Sequence, residues 1–175
     1  ERHWCSARYA FRDTVTYTYN KLSYGQSAAQ GFEYEVYLPL YNDVKWLEVG
    51  VPAGHTLQFI PASQEKPIVL YGTSIAQGAC ASRPGMAFGN IIGRKTEHPV
   101  VNLGFSGNGQ MEPEVFDLLA EIDARLFILD NMPNMGGDRA PKIYDRTING
   151  VHTIRKKTNA PILFVEHYTI SHIGS

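Results

Sequence analysis

Cysteine is scarce in these 175 residues: Cys5 and Cys80 are the only two. Far apart in sequence, they read as two free thiols rather than a disulfide framework, which needs several bridges. Neither sign of charge dominates. Lys and Arg total 16 against 17 Asp and Glu, for a net charge of -1. With no long basic run either, nucleic acid is not expected as a partner. No apolar run approaches the roughly 20 residues of a membrane-spanning helix. The chain opens at Glu1 without an initiator Met or a visible signal peptide. That start reads as a processed or artificial boundary, and the compartment stays open, with a periplasmic or secreted location preferred over the cytoplasm. The hydrophobic content, 43%, suffices for the core of one domain, or of one plus part of another.

Two periodicities divide the chain. Residues 14–20 read TVTYTYN, and residues 32–40 read FEYEVYLPL. In the latter, Phe32, Tyr34, Val36 and Leu38 fall on one face, the period of two of a half-buried strand. Residues 44–51 and 55–60 continue the pattern after the turn signals Tyr41-Asn42-Asp43 and Pro52-Ala53-Gly54. Short strands with tight turns predict an antiparallel, sandwich-like β-rich domain over residues 1–64.

From residue 65 the rhythm changes. Apolar strands are expected at 68–71, 99–103, 125–130 and 161–165, and helices at 86–96, 112–122 and 140–157. The helical stripes are Phe88, Ile91 and Ile92; Val115, Leu118, Leu119 and Ile122; and Tyr144, Ile148, Val151 and Ile154. Near-continuous apolar strands alternating with helices predict an α/β domain over 65–175, a parallel sheet covered on both faces. Sites in such sheets form beyond the C-terminal strand ends. Three loops there are dense in small or polar residues: 72–85, 104–110 and 130–137.

Several familiar motifs are missing from these loops. None ends as a phosphate-binding P-loop does, and none follows the dinucleotide spacing G-x-G-x-x-G. The nucleophile elbow G-x-S-x-G fails because Ala76 holds its last position. What stands there is YGTSIAQG, with Ser74 just past a strand, placed either as a nucleophile beside backbone N–H donors or as a helix cap. The second loop, LGFSGNG, lets Gly107 present its N–H to a developing oxyanion, or is a plain turn. The third, LDNMPNMGGD, carries amide donors at Asn131 and Asn134.

Together, GTS at 72–74, NLGFSGN at 102–108 and NMPN at 131–134 resemble the blocks of the SGNH (GDSL-type) hydrolase superfamily. YGTSIAQGACASRPG is similar to a branch, many of its members bacterial, in which a β-rich N-terminal domain precedes the hydrolase domain. The resemblance implies a flavodoxin-like three-layer α/β fold and a serine esterase acting through an acyl-serine intermediate. Several members of that branch resemble carbohydrate-associated acylesterases, so the expected substrate is a small-molecule or carbohydrate ester. Carried over by position, Ser74 is the nucleophile, and the N–H groups of Ser74 and Gly107 with the Asn134 side chain are the oxyanion donors. No cofactor or metal is implied. Thr73 replaces the usual Asp of the first block, and Met135 the usual Asp of the third.

The superfamily's Asp-x-x-His segment, which supplies base and orienting acid, is not matched: no Asp follows Asp145. The preferred expectation is a truncated C-terminus, with the pair beyond Ser175. His172 or His167 acting with Glu166 or another acid, and a fold retained without esterase activity, are the alternatives. In the last case the protein is a carbohydrate-binding or interaction module, and Tyr17, Tyr19, Tyr34, Tyr37, Tyr41 and Trp46 are its candidate stacking residues. Around the site, Arg83 is expected to bind substrate or brace its loop, Asn108 to support the second loop, and Cys80 to be a small buried thiol. Asp130 is expected to be structural unless a histidine lies near it.

Overall fold

The computed structural model describes residues 13–19 and 33–167. The chain divides into two compact units, Glu1–Val36 and Tyr37–Ser175. In the first unit the described residues are exposed and form no strand. In the second, residues 37–66 are irregular, with bends at 40–42 and a turn at 53–54, and they form no strand either. The strands expected at 14–20, 32–40, 44–51 and 55–60 are therefore absent among the described residues; residues 20 and 32 lie outside them. Alternating side chains are not sufficient for a strand, because every second N–H and C=O needs a ladder partner. Here the apolar positions stay open to solvent: Val36 is 62% and Phe59 87% exposed.

From residue 68 the expected order of elements is observed. Strands β1 (Ile68–Gly72), β2 (Val100–Gly104), β3 (Leu126–Asp130) and β4 (Ile162–Phe164) form one sheet in the order β2-β1-β3-β4. All pairings are parallel. Between them run α1 (Ser74–Gln77), α2 (Phe88–Thr96), α3 (Pro113–Leu119) and α4 (Ile143–Arg155). None of the described helices is long and apolar enough to cross a membrane.

The near-continuous hydrophobicity of the strands reflects burial on both faces. Val69, Tyr71, Phe127 and Leu129 pack with Phe116, Leu119 and Ile154 from α3 and α4. Ile68, Leu70 and Ile128 pack on the other face with Ala76 of α1 and with Phe88 and Ile92 of α2. Pro113 opens α3, where its missing N–H costs nothing. Two helical stripes differ from expectation. Leu118 is 61% and Tyr144 73% exposed, while Phe116 fills the core. Gly150 explains the choice: a Cβ there would come within 2.4 Å of the Phe116 ring, so α4 reaches the core over a glycine seat.

Register positions the loops. Gly72 is paired with Gly104 on one side and with Asp130 on the other. Three strands thus end in one row, and the segments beginning at Thr73, Phe105 and Asn131 leave the sheet side by side.

Candidate active site

Ser74 is the first residue of α1, and the cap before it is Thr73, whose hydroxyl accepts from the Ile75 N–H at 3.3 Å. Thr73 is fully buried. The capping role open to Ser74 in the sequence is thus filled by its neighbour. A Thr at this position does what an Asp would do as an N-cap, without burying a charge. Among the described residues no hydrogen bond engages the Ser74 hydroxyl or the Gly107 N–H.

The second loop is held against the first by backbone contact that only glycine permits. The Phe105 N–H donates to the Gly72 carbonyl at 2.9 Å. A Cβ on Gly109, where φ is +67°, would lie 2.1 Å from that same oxygen. A Cβ on Gly104 would lie 2.1 Å from the Gln77 nitrogen. Asn102, in β2, bridges the same junction: its Nδ2 donates to the Ala76 carbonyl at 2.8 Å and its Oδ1 accepts from the Gly104 N–H at 2.9 Å. At its tip, residues 105–108 make a turn closed by Asn108 N–H donating to the Phe105 carbonyl at 3.1 Å. Gly107 takes the positive φ, +74°, that the third position of such a turn demands.

The third loop closes the arrangement. Asn131 is fully buried and its Nδ2 donates to the Gly109 carbonyl at 2.8 Å, while its Oδ1 has no partner among the described residues. Asn131 is therefore an anchor of the second loop. Asn134 is half-buried in the short 3-10 turn Met132–Asn134, and its Nδ2 donates to the Asn108 carbonyl at 2.5 Å. That amide keeps a second hydrogen free. The structure thus joins the loops of Ser74, Gly107, Asn108 and Asn134 into one assembly.

Other candidates fall elsewhere. Arg83 donates to Ser82 at 3.2 Å inside its own loop. Cys80 carries a free thiol and is exposed, contrary to the buried thiol expected; it sits at φ +63° in the turn after α1, a tip rather than a core position. Tyr17, Tyr19, Tyr34, Tyr41 and Trp46 are exposed, and the Tyr41 hydroxyl donates to the Ser74 carbonyl at 3.1 Å. His172 lies outside the described residues. His167 is exposed just past β4. Burial pushes the Asp130 carboxyl above the ordinary range, and the His167 charge pulls it back, so this buried carboxyl senses an imidazole. No three His, Cys, Asp or Glu among the described residues group as metal ligands.

Sequence reasoning missed Tyr71 and Glu112. The buried Tyr71 hydroxyl donates to the Glu112 carboxylate, which also accepts from the Gln110 N–H at 2.8 Å. Burial alone would raise Glu112. The Tyr71 hydroxyl, the Gln110 N–H and its own N–H, and the Arg146 charge outweigh it and hold the carboxyl below its ordinary value. A lowered carboxyl pKa contributes stability above the unfolded value, and this is lost as pH falls through the folded one. Glu112→Gln is therefore expected to cost about 1 kcal/mol at neutral pH, a figure discounted for the solvent-screened carboxylate. The difference from the wild type should vanish in acid, as read from urea midpoints against pH. An open recess of about 350 Å³ adjoins this pair, lined by Phe105, Asn108, Gly109, Glu112, Glu114 and Val115.

Residues 65–174 match the family model described as GDSL-like lipase/acylhydrolase. Residues 1–57 match the N-terminus of Esterase_SGNH_hydro-type proteins. A crystal structure from Bacteroides ovatus, described as that of a GDSL-like lipase, is 46% identical with a TM-score of 0.68, covering 73% of this chain and 37% of its own. The salicylyl-acyltransferase SsfX3 from a tetracycline biosynthetic pathway is 26% identical with a TM-score of 0.52, covering 63% and 34%. The chain thus spans little more than a third of the length of these structures. No curated protein matches it.

Proposed function

The chain belongs to the GDSL-like lipase/acylhydrolase family, and from that membership we propose that it is a serine esterase that cleaves a carboxylic ester through an acyl-serine intermediate. The observation that carries the reading is the joining of three strand-end loops beside Ser74, whose hydroxyl has no hydrogen bond among the described residues. The superfamily's parallel-sheet hydrolase fold is present, and the finer flavodoxin-like three-layer description, with a β-rich domain before it, is part of the proposal.

In this mechanism a histidine paired with an acid, in a segment outside the described residues, takes the Ser74 proton. The Oγ–carbon bond forms and the carbonyl electrons move onto oxygen. The N–H groups of Ser74 and Gly107 and the free Asn134 amide hydrogen receive that oxyanion. The carbon–oxygen bond to the alcohol then breaks as the histidine returns the proton. Water attacks the acyl-serine by the same geometry and frees the acid. The expected substrate is an uncharged ester, such as an acetyl or other acyl ester of a carbohydrate; Glu112 and Glu114 on the wall of the recess beside Phe105 and Asn108 disfavour an anionic group there.

One observation favours a second reading of the base. Asp130 ends β3, His167 follows the neighbouring β4 at the Ser74 end of the sheet, and the His167 charge acts on the Asp130 carboxyl. In that reading His167 is the base and Asp130 its orienting acid.

The test is hydrolysis of p-nitrophenyl acetate by the full-length protein and its Asn134→Ala variant. One oxyanion donor contributes about 3 kcal/mol, so kcat is expected to fall roughly 100-fold with KM little changed. Unchanged kcat removes Asn134 from the site. His167→Ala separates the two bases: retained activity assigns the base to the segment outside the described residues.

A further inference from the structure

We propose that Gln77 is the positioning residue of the oxyanion loop, and that residues 37–41 form a strap that holds Gln77 in place; the inference rests on the esterase reading above. Gln77 ends α1, one turn beyond Ser74. Its side-chain amide joins two segments, the second loop and residues 37–41. Oε1 accepts from the Ser106 N–H at 3.0 Å, and Nε2 donates to the Leu40 carbonyl at 3.0 Å. A backbone N–H only donates and a carbonyl only accepts, so the amide has a single orientation.

Ser106 is the residue before Gly107, and its N–H fixes the peptide plane adjoining the one that carries the Gly107 N–H. The other corners of the turn have their own ties. Phe105 is bound to Gly72, and Asn108 is bound both to Phe105 and to Asn134. Gly107 accepts at its carbonyl from Gln110 Nε2 at 3.3 Å, and the Ser106 tether is the one that comes from the helix that carries Ser74. Gln77 therefore keys the oxyanion donor to the nucleophile, so that the two move as one piece.

The strap makes the key rigid. Leu40 packs on Gly78 so closely that a Cβ there would come within 2.5 Å of its Cδ1. The Tyr41 hydroxyl donates to the Ser74 carbonyl at 3.1 Å. Tyr37 lies against Gly85, and its ring is 5.1 Å from the Arg94 guanidinium, which also donates to the Gly85 carbonyl at 2.6 Å. Three strap residues, Tyr37, Leu40 and Tyr41, thus reach the turn after β1 at Ser74, Gln77, Gly78 and Gly85. With Gln77 truncated, the exposed Ser106 N–H turns to water. The loop keeps its fold and loses the aim of Gly107.

The test is steady-state hydrolysis of p-nitrophenyl acetate by the full-length protein, its Gln77→Ala and Gln77→Glu variants, and the double variant with Asn134→Ala. Gln77→Ala is expected to lower kcat about tenfold, with KM within about twofold and the melting temperature near that of the wild type. Gln77→Glu keeps an acceptor for Ser106 and should recover part of the loss. Gln77 and Asn134 hold opposite sides of one turn, so the double variant should lose less than the product of the two single losses. Wild-type kcat in Gln77→Ala overturns the inference while the esterase reading stands. A drop in melting temperature, with kcat and KM scaled together and no recovery by Glu, assigns Gln77 a merely structural part and also overturns it. A wild type that does not hydrolyse the ester, and is not changed by Ser74→Ala, overturns the esterase reading itself.

Discussion

Ser74→Ala is expected to abolish ester hydrolysis in the full-length protein while leaving its folding intact. Loss of a nucleophilic serine typically costs roughly a factor of 10⁶ in kcat. The structural cost is small, because the Ser74 hydroxyl makes no hydrogen bond among the described residues and Thr73 caps the helix. The expected result is therefore a catalytically dead protein with a melting curve superimposable on that of the wild type. Retained hydrolysis assigns the chemistry to another group.

Gly109→Ala should be the most damaging of the small substitutions. Any L-residue at φ +67° carries a penalty of about 1 kcal/mol. The added methyl would also stand 2.1 Å from the Gly72 carbonyl oxygen and 2.6 Å from its carbon. Those are backbone atoms at the end of β1, and the same oxygen accepts from Phe105. No rotamer change relieves the clash, so the second loop must lift from the sheet and break the Asn131 bond to Gly109 as it goes. A loss of about 3 kcal/mol in unfolding free energy follows from strain and overpacking together. Hydrolysis should fall as well, since Gly107 moves with the loop. Urea denaturation measures the first effect and kcat the second; a wild-type midpoint would show that the loop can yield.

The parallel sheet was legible because its strands are short, apolar and doubly buried, and because helices of the right length separate them. Ile68, Val100, Leu126 and Ile162 each fall in the strand expected for them. The exposure of Leu118 and Tyr144 was not legible, since a stripe read at helical spacing ignores which neighbour supplies the seat. Gly150 decided that, through contact with a Phe116 distant in sequence. Among the described residues of the N-terminal part no strand is present. Alternation in residues 32–40 describes one strand's faces but says nothing of a partner.

At the site, Ser74, Gly107 and Asn134 stood out because GTS, NLGFSGN and NMPN, at successive strand ends, together resemble the blocks of the SGNH superfamily. Gln77 did not, because its partners, Leu40 and Ser106, lie 37 and 29 residues away and a lone Gln carries no periodic signal. Thr73 looked like a departure from the expected Asp. Burial and capping account for it, since a buried position that must accept from one N–H is served by a neutral hydroxyl.

The central claim is an activated serine at the end of β1. The measurement that tests it most directly is intact mass after treating the full-length protein with a serine-reactive phosphonate, followed by peptide mapping of the adduct. The predicted result is one adduct per chain, on Ser74, and none in Ser74→Ala. An adduct on another residue, or no adduct from a protein that hydrolyses esters, would contradict the account.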